Sequence, residues 1–442
     1  MLDALGSDLE PYGSAATRDP ELSLFRLLDP EVLANPYPLF ARLRTEDPVH
    51  WDPFLHAWVV TRYADVITVL RDFSAARTPT PEHLDAKGLA CLDPLAQVMV
   101  KQMLFLDPPA HARIRNLAAC AFTPQRVAEL RDRIEQLTNE LLDAVEPRGC
   151  MEVMQDLAEP LPAIITSELL GLPSAEHRQF KKWSADFAEI IGNFQHNPDR
   201  APKMLDTVEN LVRYFRKIIR DQGGHSRAGL VGSLLAAEVT GDRLSEDEVI
   251  ANGIITLVGG LETTTNLIGN GILTLLRHPA ELQRLRDDDS LIPAAVEELL
   301  RFEPPTQHTA RMAPADVMLG GKLIRHRQAV MAILAAGNRD PERFPEPDRL
   351  DLAREDNRHL AFGWAAHYCF GAPLARLEGQ IVFSSVLKRF PRLTLEPGPI
   401  LWRSNLALRG LTALHVRFAI QPGQAQHPAS RMLDSSLRLR NI

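Results

Sequence analysis

Residues 362–376 read FGWAAHYCFGAPLAR. Cys369, one of four cysteines in 442 residues, stands there between Gly363 and Gly371, just ahead of a helical pattern, APLARLEGQIVFSSVLKRF, at 372–390. Three uses compete for such a thiol: an inert buried cysteine, a catalytic nucleophile, or an axial metal ligand. A nucleophile needs a histidine base within reach, and His367 is a poor one, because alternate residues of an extended segment point apart. A thiolate ligand for haem needs backbone N–H groups aimed at sulfur, little side-chain bulk and shelter from water. Gly371 before a helix N-terminus suits that task, since the helix end also stabilises negative charge. On this chemistry alone, haem ligation and the inert cysteine stand about even.

The other cysteines, Cys91, Cys120 and Cys150, lie far from one another, with no CxxC pair and no Cys/His cluster of structural-zinc type. That spacing argues against a disulfide framework and for a reducing compartment. A formal net charge of -8 argues against a nucleic-acid partner, while 45% hydrophobic and 24% charged residues are ordinary for a soluble protein with a large core. The first residues, MLDALGSDLEPYGSAATRDPELS, lack the basic-then-apolar order of a signal peptide. No apolar run approaches the ~18 residues needed to span a bilayer. A cytoplasmic chain with no membrane partner is expected.

Apolar residues recur three or four apart in RVAELRDRIEQLTNELLDAV (126–145) and VENLVRYFRKIIRDQ (208–222), which predicts helices. Strand-like pieces are short: HAWVVTR (56–62), VMLGGKLI (317–324) and LTALHVRF (411–418). The expectation is a mainly α fold with a minor β region, one domain over 23–422. The polar ends, 1–22 and 423–442, are expected to be loosely held.

The longest helix follows LSEDEVIANGIITLVGGLETTTNLIGNGILTLLRHP. Ser245 and Glu248 have the spacing of a capping box, and Pro279 closes the run after His278. Gly259 and Gly260 weaken its middle by about 1 kcal/mol each relative to alanine. Either another helix packs closely there, or the helix opens beside a ligand. Glu262 and Thr263 favour the second, because a buried carboxylate and alcohol are costly unless they serve something, and a proton relay is such a service. Glu298 and Arg301 share a helix face, a spacing that by itself fits a solvated surface pair.

Taken together, these motifs resemble those of the cytochrome P450 superfamily of haem-thiolate monooxygenases. FGWAAHYCFGAPLAR is similar to its cysteine loop, GGLETT (259–264) to its oxygen-activating segment and EELLR (297–301) to its ExxR. GNRDPERFPEPDRL (337–350) resembles its meander, DPPAHARIRNLAACAFTP (107–124) its HxxxR helix, and NPYPLFARLRTEDPVHW (35–51) the bacterial N-terminal segment. The order is the expected one from about residue 28 to 420.

The resemblance implies a cytochrome P450-type fold and haem b held by Cys369, whose thiolate pushes electron density onto the iron. It implies that Phe362 lies against the haem near sulfur, and that His111, Arg115, Arg311 and His367 bind the propionates. Glu262 and Thr263 match the acid-alcohol pair that delivers protons during dioxygen activation, and Glu298, Arg301 and Arg349 match a structural network. Retention of the pair implies O2 and reducing equivalents from NAD(P)H. They would arrive from outside, through a ferredoxin with its reductase or a flavodoxin, since no G-x-G-x-x-G follows a strand. Arg376, Lys388 and Arg389 are candidates for docking an acidic carrier, or equally a solvated helix face. The pocket is expected around 76–100, 171–203, 253–261, 304–310 and 404–408, with Gln307, His308 and Asn405 as polar interruptions. That lining implies a hydrophobic small molecule, a secondary metabolite such as a polyketide, macrolide or terpenoid, that is hydroxylated or epoxidised. Desaturation, rearrangement or coupling by the same chemistry is the alternative, and a non-catalytic partner of a biosynthetic enzyme a remoter one.

Ala365 is the loop's clear departure, where the family usually has glycine. Because alanine at positive φ costs about 1–2 kcal/mol, a shifted bulge or ordinary dihedrals are expected there.

Overall fold

The structure is a computed structural model, and it describes residues 20–86, 88–192, 201–221, 229–239 and 241–419. The two polar ends fall outside these residues except at 20–22, where Leu22 is already buried in a core cluster; the side chain of Cys120 also lies outside them. Six helices position the site: α1 (Ala110–Ala121), α2 (Pro160–Leu170), α3 (His177–Gly192), α4 (Glu246–Arg277), α5 (Ile292–Phe302) and α6 (Ala372–Arg389). Four strands accompany them: β1 (Val49–Asp52), β2 (Ala57–Val60), β3 (Thr309–Met312) and β4 (Ala329–Ala332). The mainly α fold with a minor β region is therefore as expected.

The long helix α4 forms as its sequence dictates. The Ser245 hydroxyl accepts from Glu248 N–H at 3.3 Å while the Glu248 carboxylate accepts from Ser245 N–H at 2.9 Å, satisfying two otherwise orphaned donors. Most of its length is buried, with α2, α3, α5 and α6 packed around it. Close approach needs small residues. A Cβ on Gly260 would stand 2.6 Å from Thr166 Oγ1 of α2, and one on Gly271 would stand 2.4 Å from the Phe383 ring of α6.

The four strands form one sheet in the order β1-β2-β4-β3. Its two central strands, AWVV and AVMA, are buried at every position and run parallel, with Trp58 opposite Val330. Such continuous apolar runs are what a strand covered on both faces requires. β3 is antiparallel to β4 and sets Arg311 opposite Val330, which places that guanidinium at the edge of the central cavity. The stretch 317–324 is not one strand but a hairpin, Val317–Leu319 and Lys322–Ile324, turned by Gly320 and Gly321 at φ 54° and 76°. Two positive φ values in succession are what a tight two-residue hairpin needs. In 411–418 only His415–Arg417 is strand.

Glu298 and Arg301 are not a surface pair. Both are fully buried, joined by two 2.7 Å bonds, and Arg301 also donates to the carbonyls of Asn338 and Pro347. Arg349 does not supply the third side chain expected of it. It reaches outward to Glu346 at 3.1 Å, and only its backbone carbonyl meets Arg301. Arg354, five residues on where the loop turns back, donates to Glu298 instead at 3.2 and 3.3 Å, and Asn357 adds a bond of 3.0 Å. A charge pair at zero exposure needs every lone pair and proton met, and these donors meet them.

Candidate active site

A cavity of about 430 Å³ lies between the middle of α4 and the segment that enters α6. Cys369 lines it. The cysteine loop is closed by Cys369 N–H donating to the Phe362 carbonyl at 2.8 Å, and by Gly363 at φ 71°. Ala365 then takes φ 56°, so neither a shifted bulge nor ordinary dihedrals relieve it. The loop keeps a left-handed residue there despite the Cβ, and the Tyr368 N–H donating to the Ala365 carbonyl at 3.0 Å holds the turn. Burial pushes the Cys369 thiol up, opposed by the Gly371 and Ala372 N–H groups at the start of α6 and by the Arg115 guanidinium. Those opposing groups are ones that favour a thiolate once it has a cation to meet.

Cationic and N–H-bearing side chains gather along the same wall. His111 and Arg115 come from α1, Arg311 from β3, and His367 from the cysteine loop. The His111 and His367 rings are 4.2 Å apart between centroids. Arg115 donates to the Tyr368 carbonyl at 2.7 Å, tying α1 to the loop beside the sulfur. Arg311 donates through Nη1 to Thr309 Oγ1 and the Ala310 carbonyl, while its buried Nε has no partner among the described residues. Burial, and then the neighbouring guanidinium of Arg311, lower His367 to about 3, and burial lowers Arg311 to about 10. Burial lowers all four, and it outweighs the opposing charge of Asp107 on His111, Arg311 and His367 and of Cys369 on Arg115. Two carboxylates placed among them would reverse that lowering, so the donor set fits the two propionates of a porphyrin. Phe362 lies beside them on the cavity wall, with the Arg376 guanidinium 4.6 Å from its ring centroid.

Across the cavity, Gly259 and Gly260 divide the two expected roles between them. Gly260 is the close-packing glycine against Thr166, whereas a Cβ at Gly259 would meet nothing within 4 Å, so this turn of α4 opens onto the cavity. Thr263 lines that opening and donates to the Gly259 carbonyl at 2.5 Å. Glu262 does not line it. Its buried carboxylate accepts from Lys181 at 2.8 Å and from Arg403 at 3.1 Å, in a cluster that Glu159 completes.

The rest of the lining is mostly apolar, from Met99, Met103, Leu104, Ile190, Ile255 and Val258 among others. His308 lines the cavity as expected, but Gln307 and Asn405 do not: Gln307 donates to the Pro304 carbonyl, and Asn405 holds its own turn and the Ala188 carbonyl. Residues 193–200 of the expected pocket segment lie outside the described residues. Arg77 lines the cavity within the expected segment 76–100, although it was not singled out there, because a single arginine in an irregular stretch carries no periodic signal. The three docking candidates, Arg376 in the first turns of α6 and Lys388 and Arg389 in its last, are each matched to a carboxylate of this chain, which favours the alternative of an ordinary solvated helix face. Arg376 holds Glu297 with two bonds, Lys388 pairs with Asp289, and Arg389 with Asp143 and Glu146.

A helical body with a thiol at a helix N-terminus, a carboxylate-ready basic wall and an apolar cavity with an alcohol facing it defines a haem-thiolate enzyme. Comparison with known proteins gives the family. The family model described as Cytochrome P450 matches residues 199–400. Cytochrome P450 CYP107DY1 of Priestia megaterium is 38% identical over 372 residues, covering 82% of this chain and 90% of that protein. The 6-deoxyerythronolide B hydroxylase of Saccharopolyspora erythraea is 34% identical, covering 86% and 95%. Among solved structures, the Bacillus subtilis cytochrome P450 PksS of the bacillaene polyketide synthase superposes with a TM-score of 0.80 at 35% identity, covering 89% and 99%. The chain belongs to the cytochrome P450 family and is a monooxygenase of that family. The family uses haem b and O2, with NAD(P)H-derived electrons delivered through a redox partner. Among the described residues, no helix is long and apolar enough to cross a membrane.

Proposed function

We propose that this monooxygenase hydroxylates or epoxidises a hydrophobic secondary metabolite of the polyketide, macrolide or terpenoid kind, with electrons from a ferredoxin and its reductase or a flavodoxin. The carrying observation is the cavity itself, apolar over most of its wall and with Thr263 directed into it opposite Cys369. Similarity to the 6-deoxyerythronolide B hydroxylase and to a cytochrome P450 of a polyketide synthase supports the same substrate class. The haem, when bound, supplies the oxidising chemistry.

The chain's own residues hold, shield and protonate. Cys369 would hold the iron, with its charge stabilised by the Gly371 and Ala372 N–H groups. His111, Arg115, Arg311 and His367 would hold the propionates, and Phe362 would pack against the porphyrin. The apolar wall excludes water from the reacting carbon. The Thr263 hydroxyl is the proton donor at the cavity, and Glu262 refills it from outside, which requires its carboxylate to leave Lys181 or Arg403 for part of each turnover. The test is a spectral binding screen of apolar polyketides, macrolides and terpenoids, followed by turnover of the binders under ¹⁸O2 with ferredoxin and reductase. One labelled oxygen in the product supports the reading. Product formed without label, or none from any spectrally bound candidate, contradicts it.

A further inference from the structure

One charged side chain on the cavity wall has no task in the chemistry above. Arg77 follows a firmly placed segment: Ser74 exchanges two backbone bonds with Met312 of β3, and the Asp107 carboxylate accepts from the Ser74 hydroxyl and the Ala75 N–H. The guanidinium is itself oriented. Its Nη1 donates to the Ala75 carbonyl at 3.1 Å and the Leu104 carbonyl at 3.5 Å, and its Cζ lies 4.4 Å from the Phe105 ring centroid. Yet among the described residues Nε and Nη2 have no hydrogen-bond partner and no carboxylate pairs with the guanidinium. Burial, and then the charge of Arg311, bring its pKa down to about 9. The guanidinium is half-buried and held in place through Nη1, and two parallel donors in a fixed plane are the form that binds a carboxylate.

Arg77 stands close enough to the haem-binding set for its charge to act on Arg311 and His367, and it is the charge count that distinguishes it. A porphyrin brings two carboxylates, and Arg115 and Arg311, with the imidazoles of His111 and His367 beside them, already supply two guanidiniums for the two. Arg77 is a third, and it sits where the wall turns apolar, against Leu104 and Phe105 and on the same cavity as Met99 and Met103. We infer that Arg77 anchors a carboxylate on the substrate, so that the molecules this cavity accepts are apolar acids whose carboxylate lies against Arg77. The inference rests on the haem-thiolate reading of the site.

The test uses the haem-loaded protein, with dodecanoic acid and dodecan-1-ol as probes of equal chain length, followed by the haem absorption shift and by calorimetry. The wild type is expected to bind the acid about 10- to 100-fold more tightly than the alcohol, the worth of a charge-assisted pair. Arg77→Gln is expected to erase that preference by weakening the acid alone, and Arg77→Lys to keep part of it. Equal binding of acid and alcohol by the wild type, no acid binding at all, or a preference that survives Arg77→Gln overturns the assignment. The porphyrin's own propionates are the other source of a carboxylate. Faster haem transfer from Arg77→Gln to apomyoglobin, with acid preference unchanged, would assign Arg77 to the cofactor and also overturn it. The spectrum of the reduced, CO-bound wild type is recorded first: loss of the thiolate band there strikes at the haem reading, whereas failure at Arg77 with that band intact strikes only at the substrate class.

Discussion

Glu262 and Thr263 are neighbours in sequence but face different surroundings: the Thr263 hydroxyl opens onto the cavity, while the Glu262 carboxylate is held behind it by Lys181 and Arg403. The two therefore separate on mutation. Thr263→Ala is expected to leave NADPH consumption within a few-fold of wild type while product falls and peroxide rises. Glu262→Gln is expected to slow turnover itself by about 10²-fold or more, the usual worth of a positioned proton-transfer group, with an enlarged solvent isotope effect. Unchanged coupling in Thr263→Ala removes it from the relay.

The network around Glu298 makes a prediction that distinguishes two arginines. Arg354→Ala removes a donor from a fully buried carboxylate and is expected to cost about 1–3 kcal/mol in urea unfolding. Arg349→Ala, whose side chain reaches only the exposed Glu346, is expected to stay within about 0.5 kcal/mol. Equal losses would restore Arg349 to the network.

Sequence pattern revealed these structures unevenly, and the reason is geometric. The capping box of α4 and its full span were legible because both depend on fixed spacings along one helix. The cysteine loop and the basic wall were legible only through motif resemblance, since His111, Arg115, Arg311 and His367 come from three separate parts of the chain. Arg354 replacing Arg349 and the ion pairs of Arg376, Lys388 and Arg389 were not legible, because loop return and long-range pairing leave no periodic trace.

Ala365 carries a strain that glycine would relieve. The left-handed backbone costs alanine about 1–2 kcal/mol, and the added freedom of glycine in the unfolded chain returns about 0.5–1 kcal/mol of that. Ala365→Gly is expected to raise stability by up to about 1 kcal/mol, and Ala365→Val, branched at a positive φ, to lower it and to loosen haem. Urea midpoints of the three proteins decide; no loss in the valine variant contradicts the strain.

Glu297 ties α5 to the cysteine-loop side through Arg376 and His359. Burial would raise its pKa, but hydrogen bonds from Arg376 and His359 outweigh burial and hold it at about 2 against the usual 4.5. A depressed carboxylate contributes stability above its unfolded pKa and loses it as pH falls toward the folded value. The contribution, roughly 1–3 kcal/mol for a pair only partly shielded from water, should be complete at pH 6 and fade between about pH 4.5 and 2. Glu297→Gln should thus be less stable than wild type at pH 6, with the gap closing toward pH 2. A gap that does not change with pH contradicts this.

The most direct measurement is the absorption spectrum of the reduced, CO-bound protein and of its Cys369→Ser variant. The wild type is expected to show the red-shifted band of a thiolate-ligated haem, and the variant to lose it while remaining folded. Haem-loaded, folded wild type without that band, or a Cys369→Ser protein that keeps it, would contradict Cys369 as the iron ligand.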